Sequence, residues 1–262
     1  TRISGIPFRD LRFMFLGAGS AATGIGDLIC YALQKEGLSE KEAQQRLWFV
    51  DLEGLLHKGR ENCMEHILPY LQDVGAMSFS NAMDHHKPQV LIGATAHGGA
   101  FTQQVIEQMS KINERPTIFA LSNPTDHAEC TAEEAYTWSG GRAIFSSGSP
   151  FAPVEYNGNT FVPGQGNNAY IFPGVGLAAV VFRAKHITED MFLVAARELA
   201  SLVSEEDLSA GSVYPPLTDI RNFSLHIATL VGECIYEQGL AQEPRPESIR
   251  DMIKDYMYDP GY

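Results

Sequence analysis

Residues 11–26, LRFMFLGAGSAATGIG, limit the fold more than any other segment: a short apolar run breaks into closely spaced glycines and resumes as a small-residue helix. An apolar strand ending at Gly17 can turn tightly there, because glycine tolerates positive φ. Gly19 leaves room for a diphosphate to approach the backbone, and Ala22 lets the next helix sit close to the sheet. The free N–H groups at such a helix start, at the positive end of its dipole, suit phosphate oxygens. A strand-to-helix turn without any ligand is the plainer reading of the glycines alone. The preceding strand, a helical pattern to about Lys35 and a stop at Gly37 favour a dinucleotide unit instead.

The pattern then alternates. Ser39 and Glu42 form a capping box, and residues 47–50 read as a second strand ending at Asp51. A helical region is expected at 62–72, a third strand at 90–92 with a glycine-rich loop at 93–100, and a helix from about Thr102. Residues 117–121 form a fourth strand that runs into Ser122, Asn123 and Pro124. Thr131 and Glu134 give a second capping box, and 143–145 a fifth strand before the loop at 146–150. Strands alternating with helices imply a parallel α/β sheet, whose ligands bind beyond the carboxyl ends of the strands. Gly17, Asp51, the Gly93 loop, Asn123 and Gly148 all follow such ends. From Gln165 the pattern turns helical, at 169–184, 188–203 and 217–238. The chain therefore reads as a sheet domain over 1–167 and a helical segment over 168–262, with the polar last twenty residues loosely held.

With 262 residues, 44% of them hydrophobic, the chain can bury a sizeable core in one large or two modest domains. Its 19 basic against 32 acidic side chains leave a net charge of −13, which argues against nucleic acid or an anionic membrane as partner. A phosphate site must then rest on backbone N–H groups and local charges. Cys30, Cys63, Cys130 and Cys234 lack CxxC spacing and read as reduced packing residues. Even the apolar stretch at 169–182 is too short to span a bilayer and contains Pro173. Because the chain begins with Thr1 about ten residues before its first strand, it reads as an excised or processed piece, with any targeting peptide outside it.

Asp51, at a strand end, can accept hydrogen bonds from a ribose diol, although a turn or cap aspartate is the ordinary alternative. It lies beyond the usual interval of about 20 residues after the glycine turn because a helix is inserted between them. Leu52 and Glu53 are not basic, and a carboxylate would repel the 2′-phosphate of NADP, which favours NAD. Lys58 and Arg60 are near enough to reverse that choice, though isolated charges are commonly solvated. Asn123, Asn167 and Asn168 are neutral amides that can donate to a carboxylate or carbonyl without bringing a titrating charge, although on spacing alone such residues more often serve turns. The eight histidines show no ligand spacing. His85 and His86, beside a lysine, are expected to be exposed, and His97 alone falls at the ligand edge.

The segments FLGAGSAATGIGDLI, VDLEGLLHKGR, NERPTIFALSNPT, AECTAEEAY, IFSSGSPF, PGQGNNAYIFPGVGLA and YPPL, in this order, closely resemble the C-terminal NAD(P)-binding half of malic enzymes. The resemblance runs from about residue 11 to residue 240. It implies a Rossmann-type doubly wound parallel sheet with a C-terminal helical extension. It also implies oxidative decarboxylation of L-malate to pyruvate and CO2, with NAD or NADP and, in the full-length enzyme, Mg or Mn. By motif, Gly17, Ala18, Gly19, Ser20 and Ala21 are similar to the diphosphate-loop residues and Asp51 to the adenosine-ribose acceptor. Asn123 and Asn168 match residues at the cofactor, and Asn123 and Asn167 residues that touch malate. Ser20 stands where many relatives carry an acid.

In the family a lysine, a tyrosine and three carboxylates supply the proton transfers and metal ligands, and their motifs precede the position where this chain starts. No catalytic residue or metal ligand is therefore assigned here, and the domain alone is expected to be inactive. Its implied partners are malate or pyruvate, the N-terminal half of the same enzyme and further copies in a homo-oligomer, in the cytoplasm or the mitochondrial matrix. The alternative is a non-catalytic module that senses or sequesters NAD(H).

Overall fold

In the computed structural model, which describes residues 1–258, the alternating apolar runs become β1 (Phe13–Leu16), β2 (Leu47–Asp51), a two-residue β3 (Gly54–Leu55), β4 (Val90–Gly93), β5 (Thr117–Ala120) and β6 (Ile144–Ser147). A hairpin of β7 (Val154–Tyr156) and β8 (Asn159–Phe161) follows, then β9 (Gly164–Gln165). Seven strands form one sheet in the order β3-β2-β1-β4-β5-β6-β9. All neighbours are parallel except β2 and β3. The order reverses between β1 and β4, which is the switch point of a doubly wound Rossmann-type sheet.

Both sheet faces are buried, and the period-two geometry of strands shows it. Phe13 and Phe15 of β1, with Leu47 and Phe49 of β2, join one cluster beneath α1 (Ser20–Lys35) and α2 (Glu40–Gln45). Met14, Trp48 and Val50 point the other way, into a second cluster with α3 (Phe79–His86), α4 (Gln103–Ile112) and α5 (Ala132–Trp138). Burial on both sides explains why these strands are short continuous apolar runs. The capping boxes at Ser39/Glu42 and Thr131/Glu134 are both formed, and they start α2 and α5.

The chain divides into two compact units, one of residues 1–166 and 208–213, the other of 167–207 and 214–262. The short return at 208–213 is tied to the first unit by the Val162 N–H, which donates to the Ala210 carbonyl at 3.0 Å. The second unit holds α6 (Phe172–Val181), α7 (Glu189–Ser201) and the last two helices, α9 (Ile220–Glu237) and α10 (Ile249–Tyr256), with α8 (Glu205–Ser209) at the return. There α9 is central, buried along much of its length among residues of α6, α7 and α10. Among the described residues no helix is long and apolar enough to cross a membrane.

Several expectations need correction. Residues 62–72 hold only a 3-10 helix, Glu65–Tyr70, because Pro69 lacks the N–H that a longer α-helix would use. The last twenty residues are not loose throughout: α10 lies among them, its Ile249 and Ile253 buried one turn apart and its start capped by Ser248. The final four residues of that stretch lie outside the described ones. His86 is buried, stacked on Trp48 with ring centroids 4.6 Å apart, while His85 is exposed as expected.

Candidate functional site

The carboxyl ends of β1, β2, β4, β5 and β6 build a cleft edge from backbone upward. Gly17 leaves β1 at φ +109°, and its N–H donates to the Val50 carbonyl of β2 at 2.7 Å. A Cβ at this position would lie 2.4 Å from the Ala94 carbonyl oxygen, so only glycine permits the turn. Gly19 then caps α1 with extended backbone and no side-chain hydrogen bond, and nothing lies within 4 Å of where its Cβ would be. The first N–H groups of α1 have no intrahelical partner. Gly19, Ser20 and Ala21 are exposed and Gly17 and Ala18 half-buried, while Ala22 packs into the core as the close helix approach requires. This is open space bordered by unsatisfied N–H donors, a cradle that fits a diphosphate.

Asp51 ends β2 one residue beyond the Gly17 partner, which sets its carboxylate on the same edge as the turn. One oxygen, Oδ1, accepts the Glu53 N–H at 2.9 Å; the other, Oδ2, pairs with Arg60 Nη1 at 2.9 Å. Arg60 also binds Glu53 Oε2 at 2.7 Å, and its side chain is only 12% exposed. The hydrogen bond it donates to Asp51, outweighing burial, strengthens the guanidinium's hold on its proton. Arg60 is thus a neutralised part of the Asp51 site, not a solvated charge. Lys58 turns away and pairs with Asp73 at 3.0 Å. His66, not singled out in the sequence, places Nε2 3.2 Å from the Ala18 carbonyl and so buttresses the glycine turn from the 3-10 segment.

The loops after β4 and β5 are joined by a residue that sequence reasoning missed. Glu129 is fully buried, and its carboxylate accepts from Thr95 N–H and Oγ1, both at 2.9 Å, and from Ser122 Oγ at 2.5 Å and N–H at 3.3 Å. Ser122 Oγ in turn accepts the Ala96 N–H at 2.9 Å. Gly93 makes room for this carboxylate, since a Cβ there would meet the Glu129 side chain at 2.5 Å. The only sequence signal was an acid between two small residues, Ala128 and Cys130, that are themselves buried. Asn123 follows directly, exposed, with a cis bond to Pro124. His97 is also exposed on the neighbouring loop.

Asn167 and Asn168 belong to the second unit and are exposed. Asn167 serves as a cap: its Oδ1 accepts the Ala169 N–H at 2.9 Å, which leaves its amide donors directed outward from that bond. Among the described residues no three His, Cys, Asp or Glu side chains gather as a metal site. All four cysteines are free thiols, three of them buried.

The family described as malic enzyme, NAD binding domain, matches residues 1–236. An NADP-dependent malic enzyme of Dictyostelium discoideum is 47% identical over 260 residues, covering 98% of this chain and 48% of that protein. A mitochondrial NAD-dependent malic enzyme of Ascaris suum is 43% identical over 264 residues, covering 100% of this chain and 41% of its own length. The chain spans about half the length of the curated relatives it matches. A crystal structure of Entamoeba histolytica malic enzyme shares the fold with a TM-score of 0.76 at 22% identity, over 97% of this chain and 49% of that one. With a matched region that takes in the glycine turn, Asp51 and the asparagine loops, this chain belongs to the malic enzyme NAD-binding domain family.

Proposed function

We propose that this chain supplies the cofactor half of an enzyme that oxidises and decarboxylates L-malate to pyruvate and CO2, and that it prefers NAD. The reading is carried by the joint arrangement of the Gly17 turn and Asp51 on adjacent strands. The turn's N–H groups bind the diphosphate and Asp51 accepts from the adenosine ribose, which together orient the dinucleotide along the strand ends. Bound nicotinamide supplies the hydride acceptor. The Asn123 and Asn167 amides then orient malate by donating to its oxygens, without adding a group that titrates near neutral pH. Asn168 is assigned to the cofactor by its motif.

The NAD preference rests on charge. A 2′-phosphate would sit beside Asp51 and the exposed Glu53, while Arg60, the near cation, is already held by both carboxylates. The remaining tasks, proton transfer and metal binding, fall to the other half of the protein, so this chain alone does not turn over malate. Phe172 and Val180, 73% and 60% exposed on α6, support docking of that half or of a second copy. Free thiols suit a reducing cytoplasmic or organellar compartment.

Separate calorimetric titrations of NAD and NADP test the reading. NAD is expected to bind about tenfold tighter, and Asp51→Ala to weaken NAD while narrowing the difference. Tighter NADP binding would overturn the preference, and equal weak binding of both would remove the role given to Asp51. A malate decarboxylation assay with Mn tests the second half of the reading, since turnover well above background would show the chain to be self-sufficient.

A further inference from the structure

The opposite edge of the same sheet, where β1 and β2 begin, bears charges that the dinucleotide edge does not use. A cavity of about 530 Å³ opens there, lined by Arg9, Arg12, Arg46, Trp48 and His86 among others. Arg12 immediately precedes β1, and Arg46 immediately precedes β2. The Phe13 N–H donates to the Arg46 carbonyl at 2.8 Å, so the parallel pairing of the strands sets the two arginines side by side. His86 Nε2 sits 3.2 Å from the same carbonyl. Among the described residues none of the three arginines forms an ion pair.

Three acids share the lining, and one of them, Glu42, also feels the Arg46 and Arg9 charges. Glu42 accepts the Ser39 hydroxyl at 2.6 Å and N–H at 2.8 Å, and Asp73 pairs with Lys58 at 3.0 Å. Asp10 also lines the cavity. Two groups on different elements register the arginine charges. Burial first, and then the Arg46 charge, weakens Arg12's hold on its proton. Burial again, with the Arg12 and Arg46 charges adding to it, pushes His86 down to about 4. In a chain of net charge −13 the three arginines offset the cavity's three acids, Asp10, Glu42 and Asp73, and guanidinium forks match oxyanion geometry closely.

We infer that this cavity is a second anion site, in which Arg12 and Arg46 hold a small, multiply charged oxyanion at the end of the sheet opposite the dinucleotide turn. The four residues of β1 separate the two sites by about 13 Å of strand, so both can be filled together. Phosphate groups and dicarboxylates share the required chemistry, and the cavity has the volume of an ordinary small-ligand pocket.

The test titrates inorganic pyrophosphate, and separately succinate, into the full chain saturated with NAD, reading heat and the His86 imidazole by NMR. One-site binding is expected, weakened by about tenfold in Arg12→Gln and independently in Arg46→Gln. His86 is expected to titrate higher once the anion cancels the field. Pyrophosphate binding well above succinate assigns phosphate chemistry, and the reverse assigns a dicarboxylate; both support the site. Binding that both variants leave unchanged, binding that NAD abolishes, or no heat at about 10 mM of either anion overturns the inference. Circular dichroism and the thermal midpoint show that each variant is folded, and Arg12→Lys, which keeps the charge, should retain part of the affinity.

Discussion

The two edges of the parallel sheet treat charge in opposite ways. At the carboxyl edge each named carboxylate has its partners: Asp51 and Glu53 share Arg60, and Glu129 takes donors from two loops. At the amino edge Arg12 and Arg46 lie on adjacent strand starts and form no ion pair among the described residues, next to a histidine kept neutral. The difference teaches that one edge is preorganised, its loops held in one geometry before any ligand arrives, while the other stores repulsion that a ligand could relieve. Stability should therefore depend on exact partners above and on the charge of the solution below.

The largest effect should come from the pin of the upper edge. Glu129→Ala would leave the Thr95 and Ser122 N–H groups without their acceptor in the core, a loss of about 4 kcal/mol. That lowers the thermal midpoint by about 12 °C. A midpoint unmoved in scanning calorimetry would mean that the loops hold themselves. Next is Gly17→Ala, which forces a Cβ against the Ala94 carbonyl at a positive φ. A cost of about 3 kcal/mol is expected, together with NAD affinity too weak for calorimetry. Retained affinity would show that the turn does not carry the diphosphate.

The contrast between the edges also marks what could be read from residue order. The glycine turn, the strand ends and both capping boxes are local: each depends on residues within a few positions, and each stands where the pattern put it. The strand order and the layering of helices follow from the alternation of elements. What stayed hidden was made by pairing across the chain. Arg60 looks solvated until β2 and β3 bring it onto Asp51, and Glu129 has no meaning before the loops of β4 and β5 meet over it. His86, polar and beside Lys87, is buried because Trp48 offers it a ring. β7 to β9 are two or three residues long, too short to show a period. In α10 the signals were present, Ser248 as cap and Ile249 and Ile253 four apart, but the polar composition around them outweighed the spacing.

The lower edge should respond to acid through His86. Folded, His86 stays neutral down to about pH 4, whereas an unfolded imidazole takes its proton near 6.5. Between those values the unfolded chain binds the extra proton, so stability falls as the pH drops through that window. By pH 5 the loss is about 2 kcal/mol, measurable by urea unfolding at pH 7 and pH 5. His86→Leu keeps an apolar side chain on Trp48 and should remove most of this dependence. If the acid loss persists in that variant, the buried His86 is not its source.

The smallest effect has the most telling sign. Arg12→Gln removes one of two neighbouring like charges, so it should stabilise the chain by a few tenths of a kcal/mol, roughly 0.3. Removing Arg60 at the other edge should do the reverse, by about 0.5 kcal/mol, because Asp51 and Glu53 would then face each other unpaired. Salt separates the two cases further. Raising ionic strength from about 0.01 M to about 1 M shortens the screening length tenfold, which weakens the Arg60 pairs but relieves the Arg12–Arg46 repulsion. The benefit of Arg12→Gln should therefore vanish at high salt, and so should part of the harm of Arg60→Gln. Unfolding curves that move in the same direction for both variants would show that the two edges carry charge in the same way, and the contrast between them would fall.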